Sequence, residues 1–320
     1  MVGKHEITIE NAYLKYQFTI CRNITVIRGD SATGKTTLVD MIRLYNEEDD
    51  TGISVNCDVP LVVVYGRDWK RQIEETENSI IFIDEQNRFY KSKEFAEMVF
   101  YSSNYYVIIS REKLSELPYS VTEVYGIRIN GKYAGLKGEY TQNEFFRIYG
   151  KNPSADFEPD VIITEDSGAG YDFWNSIYND KLCVSASGKT NILRRIKEAV
   201  RENHNIFAVV DGAAFGSEME DVIEYIKFGV GNVKLFAPES FEYLILSSDI
   251  FNSRDISDKC SHTEDYADSG KYVSWERFYT ALLTEITNGT NMKYSKEKLN
   301  VFYLSERNKG LILKSMRSSI

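Results

Sequence analysis

Residues 29–37 form the stretch of this chain whose residue types and spacing best fit a defined chemistry. Gly29 and Gly34 enclose four residues, and Lys35 and Thr36 follow directly, so the segment matches the pattern G-x-x-x-x-G-K-[ST]. Glycine lets a backbone wrap closely around a phosphate, and the N–H groups of such a loop and of the following helix N-terminus supply partial positive charge. The stretch predicts a phosphate-binding loop for a nucleoside triphosphate.

The residues of this loop are expected to hold ATP together with Mg²⁺. We expect Lys35 to reach the β- and γ-phosphates and to take part in catalysis, and the Thr36 hydroxyl to bind the metal ion. An ordinary glycine turn is the alternative, but an apolar strand precedes the loop and a helix with one apolar face follows it. The predicted nucleotide contacts are Gly29, Asp30, Ser31, Ala32, Thr33, Gly34, Lys35, Thr36 and Thr37.

Two carboxylates at the end of a second apolar segment suit the same chemistry. Residues 80–83 are all apolar, and Asp84 and Glu85 follow them. We expect Asp84 to hold Mg²⁺, directly or through water, and Glu85 to act as the general base that polarises the attacking water. A strand that merely ends in two acids is the alternative. In combination with the glycine loop, the pair predicts a Walker B motif and ATP hydrolysis.

A polar residue also follows the next apolar segment. Residues 105–109 predict a buried strand, and Ser110 and Arg111 come directly after it. A polar group at this place either senses the γ-phosphate or only caps the strand, and the sequence favours neither interpretation.

The second half of the chain has acidic residues at the ends of predicted strands. Glu165 and Asp166 follow residues 161–164, and Asp211 follows residues 206–210. Because the carboxyl ends of parallel strands meet at one edge of a sheet, we expect Glu165 and Asp211 to share a divalent metal ion. The alternative is that these acids are only solvated.

Residues 187–190 read Ser-Gly-Lys-Thr, which is part of a second phosphate-loop pattern. The first glycine of that pattern is missing, because Cys183 is at its position. We expect Lys189, Arg194 and Arg195 to lie on a solvated helix face, and contact with a phosphate backbone is the alternative. Ser217 and Glu220 are expected to form a capping box at the start of a later helix.

Two α/β domains are needed to position these residues. Residues 1–137 are predicted to form the ATPase domain with a mixed sheet, residues 138–157 a polar linker, residues 158–250 a parallel α/β sheet, and residues 251–320 a helical C-terminal extension. The predicted elements of the first domain are two strands within residues 5–20, the strand before the loop, a strand at 61–65 buried on both faces, strands at 79–84 and 105–110, and a closing hairpin with a turn at 130–131. In the extension, residues 255–270 are expected to be a loop, and residues 274–287 and 294–320 helices.

Composition and charge exclude several classes of function. The chain has 320 residues and a net charge of −10, and acidic residues outnumber basic ones in both halves, which gives nonspecific nucleic-acid binding no bulk electrostatic support. Only three histidines argue against zinc sites, and four widely spaced cysteines indicate reduced thiols. No apolar run has membrane-spanning length and no signal peptide is recognisable, so a cytoplasmic protein without a membrane partner is expected.

The first half resembles the nucleotide-binding domain of ABC-type ATPases, in the reduced form found in repair and defence ATPases. The strands before the loop, residues 29–37, the Asp84–Glu85 pair and residues 108–117 carry this resemblance. It implies Mg²⁺-dependent ATP hydrolysis and a possible homo-oligomer. The chain has no Leu-Ser-Gly-Gly-Gln-like signature before Asp84, and the residue directly after Ser110 is Arg111 rather than a histidine.

The second half resembles the Toprim domain of topoisomerases, primases and OLD-type nucleases. Glu165, the glycine turn at Gly188, Asp211–Gly212 and residues 242–244 carry this resemblance. In that family the glutamate serves as acid and base, and an Asp-x-Asp pair binds Mg²⁺ for phosphodiester chemistry. The resemblance therefore implies a catalytic role for Glu165 and metal binding by Asp211. Here the second aspartate is replaced by Ala213.

Two hypotheses follow from the paired resemblances. In the first, the nucleotide state of a slow ATPase regulates a Toprim-like metal domain that acts on nucleic acid, in defence or on a mobile element. In the second, that domain is a non-catalytic sensor or binds a partner protein, as Ala213 and the acidic charge favour. A small-molecule kinase is disfavoured, because Asp84 and Glu85 suit water activation better than phosphorylation of a hydroxyl.

Overall fold

A computed structural model describes residues 1–29, 34–130, 141–150, 157–229 and 231–318. The chain divides into two compact units. Unit 1 comprises Met1–Gly150 and Glu264–Ser274, and unit 2 comprises Lys151–Thr263 and Trp275–Ile320. The protein is a mixed α/β protein with a large mixed sheet in unit 1 and a separate parallel sheet in unit 2.

In its described residues, unit 1 has a nine-stranded sheet in the order β4-β1-β2-β9-β8-β3-β7-β6-β5. Strands β3, β5, β6, β7 and β8 run parallel to their neighbours in this part of the sheet, whereas β1 pairs antiparallel with β2 and β4, and β8 with β9. The strands are β1 (His5–Glu10), β2 (Leu14–Ile20), β3 (Ile24–Arg28), β4 (Ser54–Asn56), β5 (Leu61–Val63), β6 (Ile80–Ile83), β7 (Tyr105–Ile109), β8 (Val124–Asn130) and β9 (Thr141–Arg147).

The helices of unit 1 are α1 (Lys35–Glu47), α2 (Trp69–Glu74) and α3 (Lys93–Phe100), counted over its described residues. Apolar side chains of β6 and β7 alternate between two hydrophobic clusters, because successive residues of a strand point to opposite faces. Phe82 and Val107 pack in the cluster that includes α1, and Ile83 and Ile108 pack in the cluster that includes α2 and α3. The predicted burial of β7 is confirmed, and the apolar run at residues 80–83 is a strand buried on both faces.

Three predictions for unit 1 need correction. Residues 61–65 were expected to be buried on both faces, but β5 ends at Val63 and lies at the edge of the sheet, where Leu61 is its buried residue. The predicted linker contributes β9, whose pairing with β8 and β2 extends the sheet beyond residue 137. Asn130 pairs with Gln142, so the strand that returns along β8 is β9; the predicted turn residue Gly131 lies outside the described residues.

Unit 2 contains a four-stranded parallel sheet in the order β11-β10-β12-β13 among its described residues. Its strands are β10 (Val161–Thr164), β11 (Leu182–Ser185), β12 (Asn205–Val209) and β13 (Asn232–Phe236). The helices are α4 (Ala169–Ile177), α5 (Ile192–Arg201), α6 (Gly216–Lys227), α7 (Phe241–Leu246), α8 (Arg254–Ser261), α9 (Trp275–Thr287) and α10 (Glu306–Ser318). The predicted alternation of strands and helices, with a parallel sheet, is confirmed.

The C-terminal region differs from the predicted extension. Residues 255–270 were expected to be a loop, but α8 forms there, because the Ser253 hydroxyl caps the Ile256 N–H, Ile256 is buried, and Lys259 pairs with Asp255 one turn earlier. Helix α10 begins only at Glu306, after a short 3₁₀ turn at Val301–Leu304. Unit 2 thus includes these helices together with its sheet.

Residues Glu264–Ser274 belong to unit 1 and bind its N-terminal residues. The Met1 ammonium binds Asp268 at 2.8 Å, and the Gly3 N–H donates to the Glu264 carbonyl at 2.7 Å. The Asn23 side chain, directly before β3, donates to the Tyr272 carbonyl at 2.8 Å. The chain therefore leaves unit 2 after α8 and re-enters it at α9. Within the described residues, no helix combines the length and apolar character needed to cross a membrane.

Candidate functional sites at two sheet edges

The described ends of the glycine loop have the backbone geometry that the sequence predicts. Gly29 has a φ of +129° and Gly34 a φ of +84°, a region that residues with a Cβ rarely adopt. Gly29 directly follows β3 and Gly34 is the N-cap of α1, so the loop joins a strand end to a helix N-terminus. The predicted contacts Asp30, Ser31, Ala32 and Thr33 lie outside the described residues.

Lys35 is bonded to the residue that directly follows β3. Its side chain is almost fully buried, and Nζ donates to the Gly29 carbonyl at 2.8 Å. Thr36 and Thr37 are exposed on the first turn of α1. A buried ammonium group, a helix N-terminus and two accessible hydroxyls thus come together at the carboxyl end of β3, which is the arrangement that a phosphate group and its cation require.

Tyr16 of β2 contacts Gly34 at the end of the loop, and sequence reasoning did not predict this contact. Its hydroxyl donates to the Gly34 carbonyl at 2.8 Å, and burial raises its pKa to about 12. A Cβ at Gly34 would lie 2.7 Å from the Tyr16 oxygen, so this glycine is required by close approach as well as by its φ. The pairing of β2 with β9 that brings Tyr16 into place could not be read from local sequence.

Asp84 lies at the carboxyl end of β6, on the same edge of the sheet as Gly29. Its Oδ1 accepts the Glu85 N–H at 2.7 Å, which orients the carboxylate. Burial raises the pKa of Asp84, the charges of Glu85 and Asp40 raise it further, and the Lys35 ammonium acts in the opposite direction. Asp84 is therefore close enough to Lys35 for their charges to interact.

Glu85 forms an ion pair in this arrangement. Its Oε1 accepts from the Arg111 guanidinium at 2.9 Å, and the Arg111 side chain is about half exposed. Ser110, in contrast, is completely buried: its hydroxyl accepts the Glu112 N–H at 3.1 Å and donates to the Glu112 carbonyl at 2.9 Å. Of the two interpretations of Ser110, these contacts favour the strand cap, and the polar group that reaches Glu85 is Arg111.

In unit 2, Glu165 and Asp211 meet at the carboxyl edge of the parallel sheet. They follow the neighbouring strands β10 and β12, and Glu165 Oε2 accepts the Asp211 N–H at 3.0 Å. Burial raises the pKa of Glu165 to about 7, with Glu276 and Asp166 adding to the effect and Lys189 opposing it. The pKa of Asp211 is raised well above its usual range by burial and by Glu276 and Glu165.

Sequence reasoning did not assign a metal or catalytic role to three further carboxylates of this site, although Asp166 and Glu242 lie in stretches that it named. We call the five residues Glu165, Asp166, Asp211, Glu242 and Glu276 the acidic cluster, since their charges act on one another. Glu276 comes from α9 and Glu242 from α7. No local pattern places Glu242 and Glu276 beside Glu165 and Asp211, because only the packing of α7 and α9 brings them to the sheet edge.

A lysine complements the acidic cluster. Lys296 Nζ contacts Glu276 Oε1 at 2.5 Å. Burial alone lowers the pKa of Lys296, but the charges of Glu276, Glu242 and Asp211 outweigh this and raise it above its usual range. The cluster therefore has a cation of its own in the described residues.

The chain matches no protein family model, no curated protein and no solved structure. The function of both sites must therefore be argued from their own residues.

The loop after β12 differs from what an Asp-x-Asp pair needs. Ala213 is buried and its N–H donates to the Glu239 carbonyl at 3.1 Å, while the Gly212 N–H donates to the Pro238 carbonyl at 2.6 Å. A Cβ at Gly212 would lie 2.6 Å from a backbone oxygen of Ala237. The loop is packed against residues 237–239, and the position that would carry the second aspartate of the pair is occupied by the buried Ala213.

The remaining motif predictions have mixed outcomes. Lys189 lies in a 3₁₀ turn rather than on a helix face, and its Nζ donates to the Ala214 carbonyl at 3.1 Å. The following arginines, Arg194 and Arg195, pair with Glu198 on α5, as a solvated face predicts. The capping box is wrong, because α6 begins at Gly216 with Phe215 as its N-cap, and no side chain caps it.

Within the described part of the chain, no three His, Cys, Asp or Glu side chains are arranged to hold a metal ion. For unit 1 this is compatible with a Mg²⁺ site, because Mg²⁺ in nucleotide sites is held by one or two protein groups together with phosphates and water. For unit 2, a site made by protein alone would need more ligands than Glu165 and Asp211.

Proposed function

We propose that unit 1 binds ATP with Mg²⁺ and hydrolyses it slowly. The observation that carries the proposal is the buried Lys35 ammonium on the Gly29 carbonyl, between two glycines of positive φ and at the N-terminus of α1. A nucleotide phosphate would take over the hydrogen bond that Nζ now makes to the loop.

The described residues have distinct roles in this proposal. Lys35 neutralises charge on the β- and γ-phosphates, Thr36 and Asp84 hold Mg²⁺, and Glu85 polarises the attacking water. The Glu85 carboxylate must first be free to accept a proton, and in this structure it is paired with Arg111. This pairing supports slow turnover.

ATP binding and turnover by the full chain test the proposal. Lys35→Ala should weaken ATP binding by at least about tenfold, because it removes a charge-assisted contact of about 1.5–3 kcal/mol. Lys93→Ala, at an exposed lysine that begins α3, is the matched control and should change nothing. A wild-type chain that binds no ATP refutes the proposal.

Glu85→Gln tests the general base. Turnover should fall by about 10²-fold or more, while ATP affinity stays the same, because a base acts on the transition state. Glu97→Gln, at an exposed position of α3, is the control. Arg111→Ala should raise turnover by freeing Glu85; a fall in turnover would mean that Arg111 acts on the phosphates instead.

For unit 2 we propose a non-catalytic role, as a sensor or partner-binding module whose state depends on the nucleotide in unit 1. The closed loop at Ala213 and the cation at Lys296 favour this role. The covalent chain links the strand before the glycine loop to the acidic cluster. The Asn23 side chain, directly before β3, donates to the Tyr272 carbonyl, and the chain continues from Tyr272 into α9, which carries Glu276.

Metal-dependent cleavage of nucleic acid is the second candidate, favoured by the convergence of Glu165 and Asp211 at one sheet edge. Supercoiled DNA, single-stranded DNA and RNA should be incubated with the full chain and Mg²⁺ or Mn²⁺. Cleavage that disappears in Glu165→Ala and in Asp211→Ala would establish this candidate. Absence of cleavage supports the non-catalytic role.

A further inference from the structure

Residues 294–299, which we call the lysine segment, cross the carboxyl edge of the sheet in unit 2. The segment is fixed at its start by Tyr294, which is buried. The Tyr294 hydroxyl donates to Glu242 Oε1 at 2.7 Å, and its N–H donates to the Thr287 hydroxyl at 3.0 Å. The first residue of the segment is therefore bonded to a member of the acidic cluster.

The segment is also fixed to the N-terminal turn of α4. The Ala169 N–H donates to the Lys296 carbonyl at 2.9 Å, and the Leu299 N–H donates to Asp172 Oδ2 at 3.0 Å. The backbone approaches so closely at Gly168 that a Cβ there would lie 2.0 Å from the Lys296 oxygen. These bonds determine the position of the Lys296 backbone, and with it the reach of the side chain.

The Lys296 ammonium lies beside the acidic cluster. It contacts Glu276 directly, and its charge also acts on Asp211, Glu242 and Asp166. A positive charge among several carboxylates does what a bound cation does, because it offsets their mutual repulsion. A divalent ion entering the same place would be repelled by the ammonium.

One oxygen of Glu165 and one oxygen of Asp211 already accept a backbone N–H. Glu165 Oε2 accepts the Asp211 N–H at 3.0 Å, and Asp211 Oδ1 accepts the Phe241 N–H at 3.3 Å. The cavity lined by Glu165, Asp166 and Asp211 has a volume of about 10 Å³, which is about the space for one water molecule.

We propose that Lys296 is the resident cation of the acidic cluster, and that Glu165 and Asp211 take no divalent metal ion while the lysine segment is in position. The inference rests on the non-catalytic role proposed for unit 2 and gives its physical reason. It is independent of ATP binding in unit 1. The metal site that the Toprim resemblance implies is thus replaced by a side chain of the protein itself.

Mn²⁺ binding by the full chain without nucleotide tests the inference. All variants carry Asp84→Asn, so that unit 1 lacks its metal carboxylate. Lys296→Met keeps the unbranched stem of the side chain and removes its charge, and it should bind Mn²⁺ at least about tenfold more tightly than the Asp84→Asn parent. Adding Glu165→Gln to Lys296→Met should abolish this gain.

Lys298→Met is the matched control, because Lys298 is an exposed lysine of the same segment. It should bind Mn²⁺ no better than the parent, as should Lys296→Arg, which retains a cation. An equal gain in Lys298→Met, or no gain in folded Lys296→Met, overturns the inference.

A second measurement does not depend on the folding of Lys296→Met. Mn²⁺ should leave the melting temperature of the Asp84→Asn parent unchanged. A rise that Glu165→Gln removes would show a metal site in the presence of Lys296 and would overturn the inference. Cleavage of nucleic acid is measured separately. Cleavage without metal binding at Glu165 refutes only the non-catalytic role of unit 2. Metal binding by the parent without cleavage refutes only the inference that Lys296 takes the place of the metal ion.

Discussion

The contact between Gly34 and Tyr16 allows a quantitative test of how the sheet supports the phosphate loop. Gly34→Ala forces a residue with a Cβ into a φ of +84° and brings that Cβ to 2.7 Å from the Tyr16 oxygen. The left-handed conformation costs about 1–2 kcal/mol, and the steric overlap adds about 1–2 kcal/mol. The single variant should therefore lose about 3 kcal/mol of the free energy of unfolding of unit 1.

Tyr16→Phe removes the overlapping oxygen together with its hydrogen bond to the Gly34 carbonyl. The loss should be about 1 kcal/mol, since that carbonyl still accepts the Leu38 N–H at 3.0 Å. Without the Tyr16 oxygen, every other atom near a Cβ at Gly34 is at 3.7 Å or more, an ordinary contact. The double variant should therefore lose only about 2–3 kcal/mol, rather than the roughly 4 kcal/mol expected if the two losses added.

The assay is urea unfolding of unit 1, followed by the fluorescence of Trp69 after Trp174 and Trp275 have been replaced by Phe. Gly52→Ala is the control, because Gly52 has a φ of +66° and no atom within 4 Å of an added Cβ. It should cost about 1 kcal/mol and be additive with Tyr16→Phe. If Gly34→Ala and Tyr16→Phe are additive to within about 0.5 kcal/mol, the described support of the loop by Tyr16 is refuted.

Two further predictions concern unit 2. Burial raises the pKa of Glu165 from 4.5 to about 7, so folding takes up a proton between these pH values, and the contribution of Glu165 to stability should fall as pH rises from about 4.5 to about 7. The difference in melting temperature between wild type and Glu165→Gln, measured in EDTA from pH 4.5 to 8, should change across this range and level off above it. A constant difference would contradict the raised pKa of Glu165. Gly168→Ala should destabilise unit 2 by about 2–3 kcal/mol in urea unfolding, since its Cβ would overlap the Lys296 carbonyl oxygen. The control Gly310→Ala, in α10, adds a Cβ with no atom within 4 Å and should stabilise unit 2 by about 0.5–1 kcal/mol. Equal effects of the two variants would contradict the close approach of the lysine segment to α4.

Much of the fold could be predicted because the local patterns are strong. Strands such as β6, β7 and β10 are continuous apolar runs bounded by polar residues, and the amphipathic helices α5 and α9 have apolar residues at helical spacing. Helix α8 was missed because its sequence is almost entirely polar, and it depends on a cap, an ion pair and one buried isoleucine. Strand β9 was missed because its partners β2 and β8 lie far away or beyond a long connection in the sequence.

The sites divide in the same way. The glycine loop with Lys35, and the Asp84–Glu85 pair, are contiguous motifs, so their chemistry could be proposed without coordinates. Arg111, Tyr16 and the acidic cluster beyond Glu165 and Asp211 depend on contacts between distant segments, which no local pattern encodes.

The sequence by itself determined that a buried strand delivers a glycine loop and a lysine to the start of a helix, and that acidic residues follow parallel strands in the second half. These are properties of short segments, governed by burial and by the freedom of glycine. Only the tertiary structure decided what surrounds them: Tyr16 hydrogen-bonded to the Gly34 carbonyl, Arg111 paired with Glu85, and Lys296 paired with Glu276 in the acidic cluster. Electrostatics acts through space, so the nearest opposite charge of a residue is determined by packing rather than by its neighbours in the chain.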